Sequence, residues 1–138
     1  MGYHAYKAQW DKLTNDEKKY VLLHPWHVDA IKSNSAKALE KAQGLFSGGS
    51  LHNGPGDAFR HCYWSALLAR DIGPKNAKAF TSAHESRPGN PPKEKDMDLY
   101  DNRNGLEIGR KHPNAADDEL SRYCLNALLA GELKVIKP

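Results

Sequence analysis

At 138 residues the chain has the length of one domain and is large enough to bury roughly two-thirds of the surface its unfolded form exposes, so it needs no covalent or metal staple to fold. A composition of 39% hydrophobic and 27% charged residues excludes intrinsic disorder, and a mean hydropathy of -0.75 with apolar runs no longer than Ala66 to Ala69 excludes a membrane-embedded protein. The net charge is +3, yet basic and acidic side chains alternate along the whole length, so no basic stripe marks a stable nucleic-acid partner.

Met1 to Lys7 has no apolar core to serve as a signal peptide, and Tyr6 departs from the myristoylation pattern. The chain is expected either to stay inside the cell or to be a piece of a longer exported protein. Thr14-Asn15-Asp16-Glu17 is a capping-box pattern that predicts a helix to about Leu23, ended by His24-Pro25. A second helix is predicted from about Trp26 to Leu45, where Val28, Ile31, Ala38, Leu39 and Ala42 recur near helical spacing, followed by the loop Ser47 to Ser50 and the turn Asn53 to Gly56.

From Asp57 the pattern is helical again through Ala69 and stops at Gly73-Pro74. Asp57 and His61 are spaced i, i+4 and share one helical face. That spacing suits two metal ligands, or a carboxylate that orients a catalytic imidazole, and equally an N-capping Asp57 beside a half-buried His61. Lys75 to Glu85 reads as a fourth helix ending on His84-Glu85, which is not a zinc-protease motif because residue 88 is proline. A histidine there also complements the helix dipole.

Ser86 to Lys95, with three prolines and a glycine, reads as a mobile surface loop. A fifth helix is predicted over Asp96 to Arg110. Its start, Asp96-Met97-Asp98-Leu99-Tyr100-Asp101-Asn102, puts oxygen donors on one face at a density that suits Ca²⁺ or Mg²⁺ better than Zn²⁺, although a solvated acidic helix start has the same pattern. Gly105 and Gly109 continue that stripe and would let another helix approach closely. Pro113 and Asn114 precede a last helix over about Asp117 to Leu133, with an acidic first turn. The expectation is an all-α fold, a single compact domain of about six helices spanning residues 1–138, with a polar site between helices. Cys62 and Cys124 form no metal-binding pair and read as two buried thiols or one disulfide. His4, His24, His27, His52 and His112 fall at ends, turns or before prolines and read as surface or capping residues, His52 alone lying close to the glycine-rich turn.

Three segments in order, Asp57-Ala-Phe-Arg-His61-Cys-Tyr-Trp64, then Ala83-His84-Glu85, then Met97-Asp98-Leu-Tyr-Asp-Asn102 with Gly105 and Arg110, resemble an uncharacterised family of small helical bacterial domains. Members of that family often form the C-terminal module of secreted, Rhs-like or other polymorphic toxin proteins. The resemblance covers about residues 52–110 and departs at Ser65 and Asp101, where asparagine is expected. In outline Gly54-Pro55-Gly56 ahead of His61 is also similar to secreted phospholipase A2, although Cys62 stands where that family has its calcium-binding aspartate.

The resemblance implies a secreted effector used in interbacterial competition, delivered by a secretion system within a larger chain and acting in the target cell's envelope, periplasm or cytoplasm, with a cognate immunity protein as partner. Taken with the polar clusters, the expected function is a metal-assisted hydrolase of a phospholipid or lipid-linked envelope precursor. Asp57, Glu85, Asp98 and Asp101 would be oxygen ligands to a divalent metal, Ca²⁺ or Mg²⁺ before Zn²⁺. His61 would act as general base, with Arg60 and His84 stabilising developing charge, and Asn102, Trp64 and His52 contacting substrate. With zinc, His61 and His84 become ligands and the base moves to Glu85. The alternatives are a nuclease toxin and a non-catalytic helical binding module whose polar cluster is structural.

Overall fold

A computed structural model describes residues 8–138, so His4 and the reading of the N-terminal leader lie outside the described residues. The chain is all-α. After a helical turn at 8–11, the helices are α1 (Asn15–Leu23), α2 (Val28–Leu45), α3 (Pro55–Ile72), α4 (Pro74–His84), α5 (Pro92–Lys111) and α6 (Asp117–Leu129), with 3₁₀ turns at Pro25–His27 and Gly48–Ser50. Among the described residues no helix is long and apolar enough to cross a membrane.

Local chemistry sets most of these limits. The capping box forms as the sequence predicts: Glu17 N–H donates to Thr14 Oγ1 (3.0 Å) and Thr14 N–H to Glu17 Oε1 (2.8 Å). Prolines move three starts away from the apolar periodicity. Pro25 opens a 3₁₀ turn before α2, and α3 begins at Pro55 rather than Asp57. Helix α5 begins at Pro92, four residues ahead of Asp96, because a proline in the first turn forfeits no helical hydrogen bond. Asp57 is therefore not an N-cap, and the connecting loop is shorter than the proline count suggests.

Helix α6 stops at Leu129 instead of Leu133. Gly131 takes a left-handed φ of 75° and turns the chain back. The tail then crosses the molecule, where Ile136 and Lys137 N–H both donate to Asn53 O (3.1 and 2.8 Å) and Lys134 N–H donates to Asp101 Oδ1 (2.7 Å).

The core is organised round α3. Fourteen of its eighteen residues are buried, Phe59, Cys62, Leu67 and Leu68 among them, and α2, α4, α5 and α6 all pack on it. Cys62 and Cys124 are buried and free with their Sγ atoms 3.1 Å apart; the shared hydrogen bond and burial push the Cys62 thiol well above its ordinary pKa, which makes it a poor nucleophile. Helices α3 and α5 approach most closely at two glycines. A Cβ on Gly105 would lie 2.0 Å from Cys62 O, and one on Gly109 would lie 2.4 Å from Ala66 O. Asp98, Asn102, Gly105 and Gly109 form one stripe on α5. The glycines bring the backbones together, and that closeness presses Asp98 and Asn102 against His61.

A candidate metal centre between two helices

Asp57 sits in the first turn of α3, where its Oδ2 accepts the backbone N–H of Asn53 (2.8 Å) and its Oδ1 faces Arg60 Nη2 (3.0 Å). One turn on, His61 Nε2 lies 3.3 Å from Asp57 Oδ1 and 3.3 Å from Asp98 Oδ1, the latter delivered by α5. All three residues are buried, and one donor atom of each lies within 4.8 Å of the others, a group that could hold a metal ion.

The imidazole is fixed from behind. Ser65 Oγ donates to Asn102 Oδ1 (3.1 Å), and the same oxygen faces His61 Nδ1 at 3.2 Å, so Nδ1 carries a proton. Nε2 then either holds a second proton between the two carboxylates or offers its lone pair to a cation. Ser65 thus acts in place of the asparagine expected there, as a donor that orients the Asn102 amide.

The carboxylates respond unequally to burial. For Asp57, burial works upward but is overcome by the hydrogen bond and charge of His61, the Asn53 N–H and Arg60, which together hold its carboxyl well below the usual range. Asp98 has fewer compensations. Burial pushes its carboxyl up to about 7, against the pull of His61 and with the help of the Glu85 and Asp57 charges. Asp98 Oδ1 and Glu85 Oε2 are buried acceptors without a hydrogen-bond donor. Buried carboxylate oxygens without donors are costly unless a cation or a proton compensates them.

Other residues singled out in the sequence have separate positions. Glu85, 2% exposed, caps the C-terminal end of α4, and its charge helps to raise the Asp98 carboxyl. Asp101 is fully buried but outside the triad. Its Oδ1 anchors the C-terminal tail through Lys134 N–H, and its carboxyl is pushed up to about 7 by burial, which outweighs that hydrogen bond, with Asp98 and Asp57 adding repulsion. His84 is tied to Glu17, Nδ1 to Oε2 at 3.1 Å. Burial alone would lower its pKa, but the Glu17 carboxylate raises it above the usual value. His52 is exposed and meets Glu94 (3.2 Å), away from the triad. His24 and His27 stack on Tyr20 at 4.1 and 6.0 Å, and His112 on Tyr123 at 4.2 Å, so these three do more than cap.

A cavity of about 70 Å³ reaches His61 and is lined by Ser35, Ala38, Arg60, His61, Trp64 and His84. The larger hollow of about 600 Å³ between α4 and α5 meets the site only through Asn102 and offers Lys78, Arg103 and Arg110 instead of the triad. Chemistry at His61 belongs to the smaller space.

Residues 18–132 match the model of a domain of unknown function, DUF6973. The chain belongs to this family. The DUF6973 span contains Asp57, His61, Glu85, Asp98, Asp101 and Asn102, and leaves Glu17 and Lys134 just outside. No solved structure matches the chain.

Glu17, Asn53 and the Lys134 amide all support this site, and nothing in the sequence marks them as parts of one. Glu17 has a complete local explanation as a capping residue, which hides the second oxygen that reaches His84, 67 positions away. Asn53 has a sequence signal, a turn cluster, and its left-handed φ of 64° aims its N–H at Asp57.

Proposed function

We propose that the domain is a metal-assisted hydrolase, used as a toxin or effector module against a phospholipid or lipid-linked envelope precursor. The observation that supports this reading is the convergence of Asp57 Oδ1 and Asp98 Oδ1 on His61 Nε2, at 3.3 Å each, in a buried pocket. Asp57, Asp98 and His61 Nε2 would hold a divalent ion, since Asp98 Oδ1 lacks a donor and the His61 proton is committed to Asn102 on the other nitrogen. Such an ion supplies Lewis-acid polarisation of a substrate oxygen and a nucleophilic water at neutral pH.

The chain's own residues have distinct tasks in this reading. His61 becomes a ligand, and the role of base passes to Glu85, whose Oε2 is free of hydrogen bonds and whose carboxyl lies against Asp98. Arg60 neutralises Asp57 and borders the cavity that His61 closes. Two carboxylates with one imidazole suit Mg²⁺ and Mn²⁺, with Ca²⁺ favoured as the oxygen share grows and Zn²⁺ as the nitrogen share grows. Delivery within a larger secreted chain and neutralisation by an immunity protein complete the proposal.

The test is expression of the domain in bacterial cytoplasm and, separately, behind an export signal. Growth arrest in one compartment is expected, and it should disappear in folded His61→Ala and Asp98→Asn proteins. Full toxicity of either folded variant would remove the catalytic assignment and leave a buried network that serves helix packing.

A further inference from the structure

The small cavity at His61 has a chemical character that the triad does not account for. Trp64 is 8% exposed, and its indole Nε1–H is buried without an acceptor. Arg60 spends Nη2 on Asp57 while its Nε–H is likewise buried and unpartnered. Both residues line the same cavity, together with the Ser35 position on α2 and the ring of His84, held by Glu17 with its centroid 5.3 Å from that of Trp64. Two residues of the lining thus each hold a buried donor that no protein acceptor meets, one of them cationic, and buried unpaired donors are rare enough to require a cause.

We propose that this cavity is an anion subsite that takes the phosphoryl group of a phosphoester, with Trp64 Nε1–H and Arg60 Nε–H donating to its oxygens next to His61. At about 70 Å³ it has room for several waters, which is what one tetrahedral oxyanion displaces, and it is too small for a sugar or acyl chain. Arg60 has a 36% exposed side chain and can rotate to admit the group. The planar guanidinium fork matches phosphate oxygens, and the indole has only a donor to offer. The proposal sharpens the hydrolase reading by selecting phosphoesters over carboxyl esters, and it rests on that reading only for catalysis, not for anion binding.

The experiment follows the indole N–H resonances of Trp10, Trp26 and Trp64 by NMR, in the full chain, with and without Mg²⁺. Inorganic phosphate and glycerophosphoglycerol are titrated, with triacetin as an uncharged ester and chloride as a salt control. A saturable shift confined to Trp64 with the two phosphates is expected. Phosphate affinity, read by calorimetric titration because Trp64→Phe removes the reporting resonance, should fall about tenfold or more in Trp64→Phe and in Arg60→Lys, the worth of one hydrogen bond to a charged group. Unchanged Trp10 and Trp26 signals report that the variants remain folded. Glycerophosphoglycerol binding more tightly than phosphate would assign the subsite to a diester headgroup. An unmoved Trp64 signal in both conditions, an equal response to chloride or triacetin, or unaltered affinity in both variants would overturn the subsite. Loss of metal binding or toxicity alone would instead count against the hydrolase reading, since the Mg²⁺-free titration reads the donors directly.

Discussion

His84, half-exposed, is held by the buried Glu17, and their pairing sets a pH window. The Glu17 carboxyl lies below its ordinary 4.5 because the His84 hydrogen bond and the Thr14 contacts overcome burial, while Glu17 raises His84 above its ordinary 6.5. Glu17's contribution is present above 4.5 and lost as pH falls through its lowered folded value; that of His84 is complete below 6.5 and lost as pH rises through its elevated one. The pair therefore stabilises most between 4.5 and 6.5. Glu17→Gln should lower the thermal midpoint most in that window, with the difference from wild type shrinking as pH rises through the raised value of His84. A pH-independent difference would mean that the capping contact, not the pair with His84, carries Glu17's effect. At this scale the sequence was readable where partners are neighbours. Asp57 and His61, four apart, could be paired from spacing, whereas Glu17 with His84 and Asp101 with the Lys134 amide are brought together only by the fold.

At the scale of elements, the site depends on how near α5 comes to α3. Gly105 and Gly109 were legible as a close-approach stripe, and the structure puts them on the Cys62 and Ala66 carbonyls. Gly105→Ala should destabilise the fold by on the order of 3 kcal/mol, because forced separation of packed helices exceeds the ~1 kcal/mol gained in helix propensity. A denaturant midpoint equal to or above wild type would refute this packing account. Helix identities followed from apolar periodicity, but three starts did not, because proline at a first turn extends a helix into sequence that looks like loop. Helix α6 ended early for the opposite reason. Its apolar pattern persists into Leu133, which is buried as part of the returning tail and not of the helix.

For the molecule as a whole, the all-α class and the placing of the polar stripe inside it were legible from composition and periodicity. The role of the tail was not, because backbone donors carry no sequence signature. Through Asn53 and Asp101 the tail ties the last residues to the turn that leads into α3 and to α5. This arrangement buries Asp57, His61, Asp98 and Asp101 together, two of them with carboxyls near 7, an expensive interior for a metal-free protein. Binding of a cation should therefore stabilise the whole fold and release protons near neutral pH.

The most direct measurement is calorimetric titration of chelator-treated protein with Mg²⁺, Ca²⁺, Mn²⁺ and Zn²⁺, paired with the thermal midpoint, for wild type, Asp98→Asn and Asn102→Ala. The account predicts one saturable site that raises the midpoint, lost in Asp98→Asn and weakened roughly 10–100-fold in Asn102→Ala, where the imidazole loses its orienting amide. Absence of saturable binding by all four ions, or binding undiminished in Asp98→Asn, would contradict a metal centre at Asp57, His61 and Asp98.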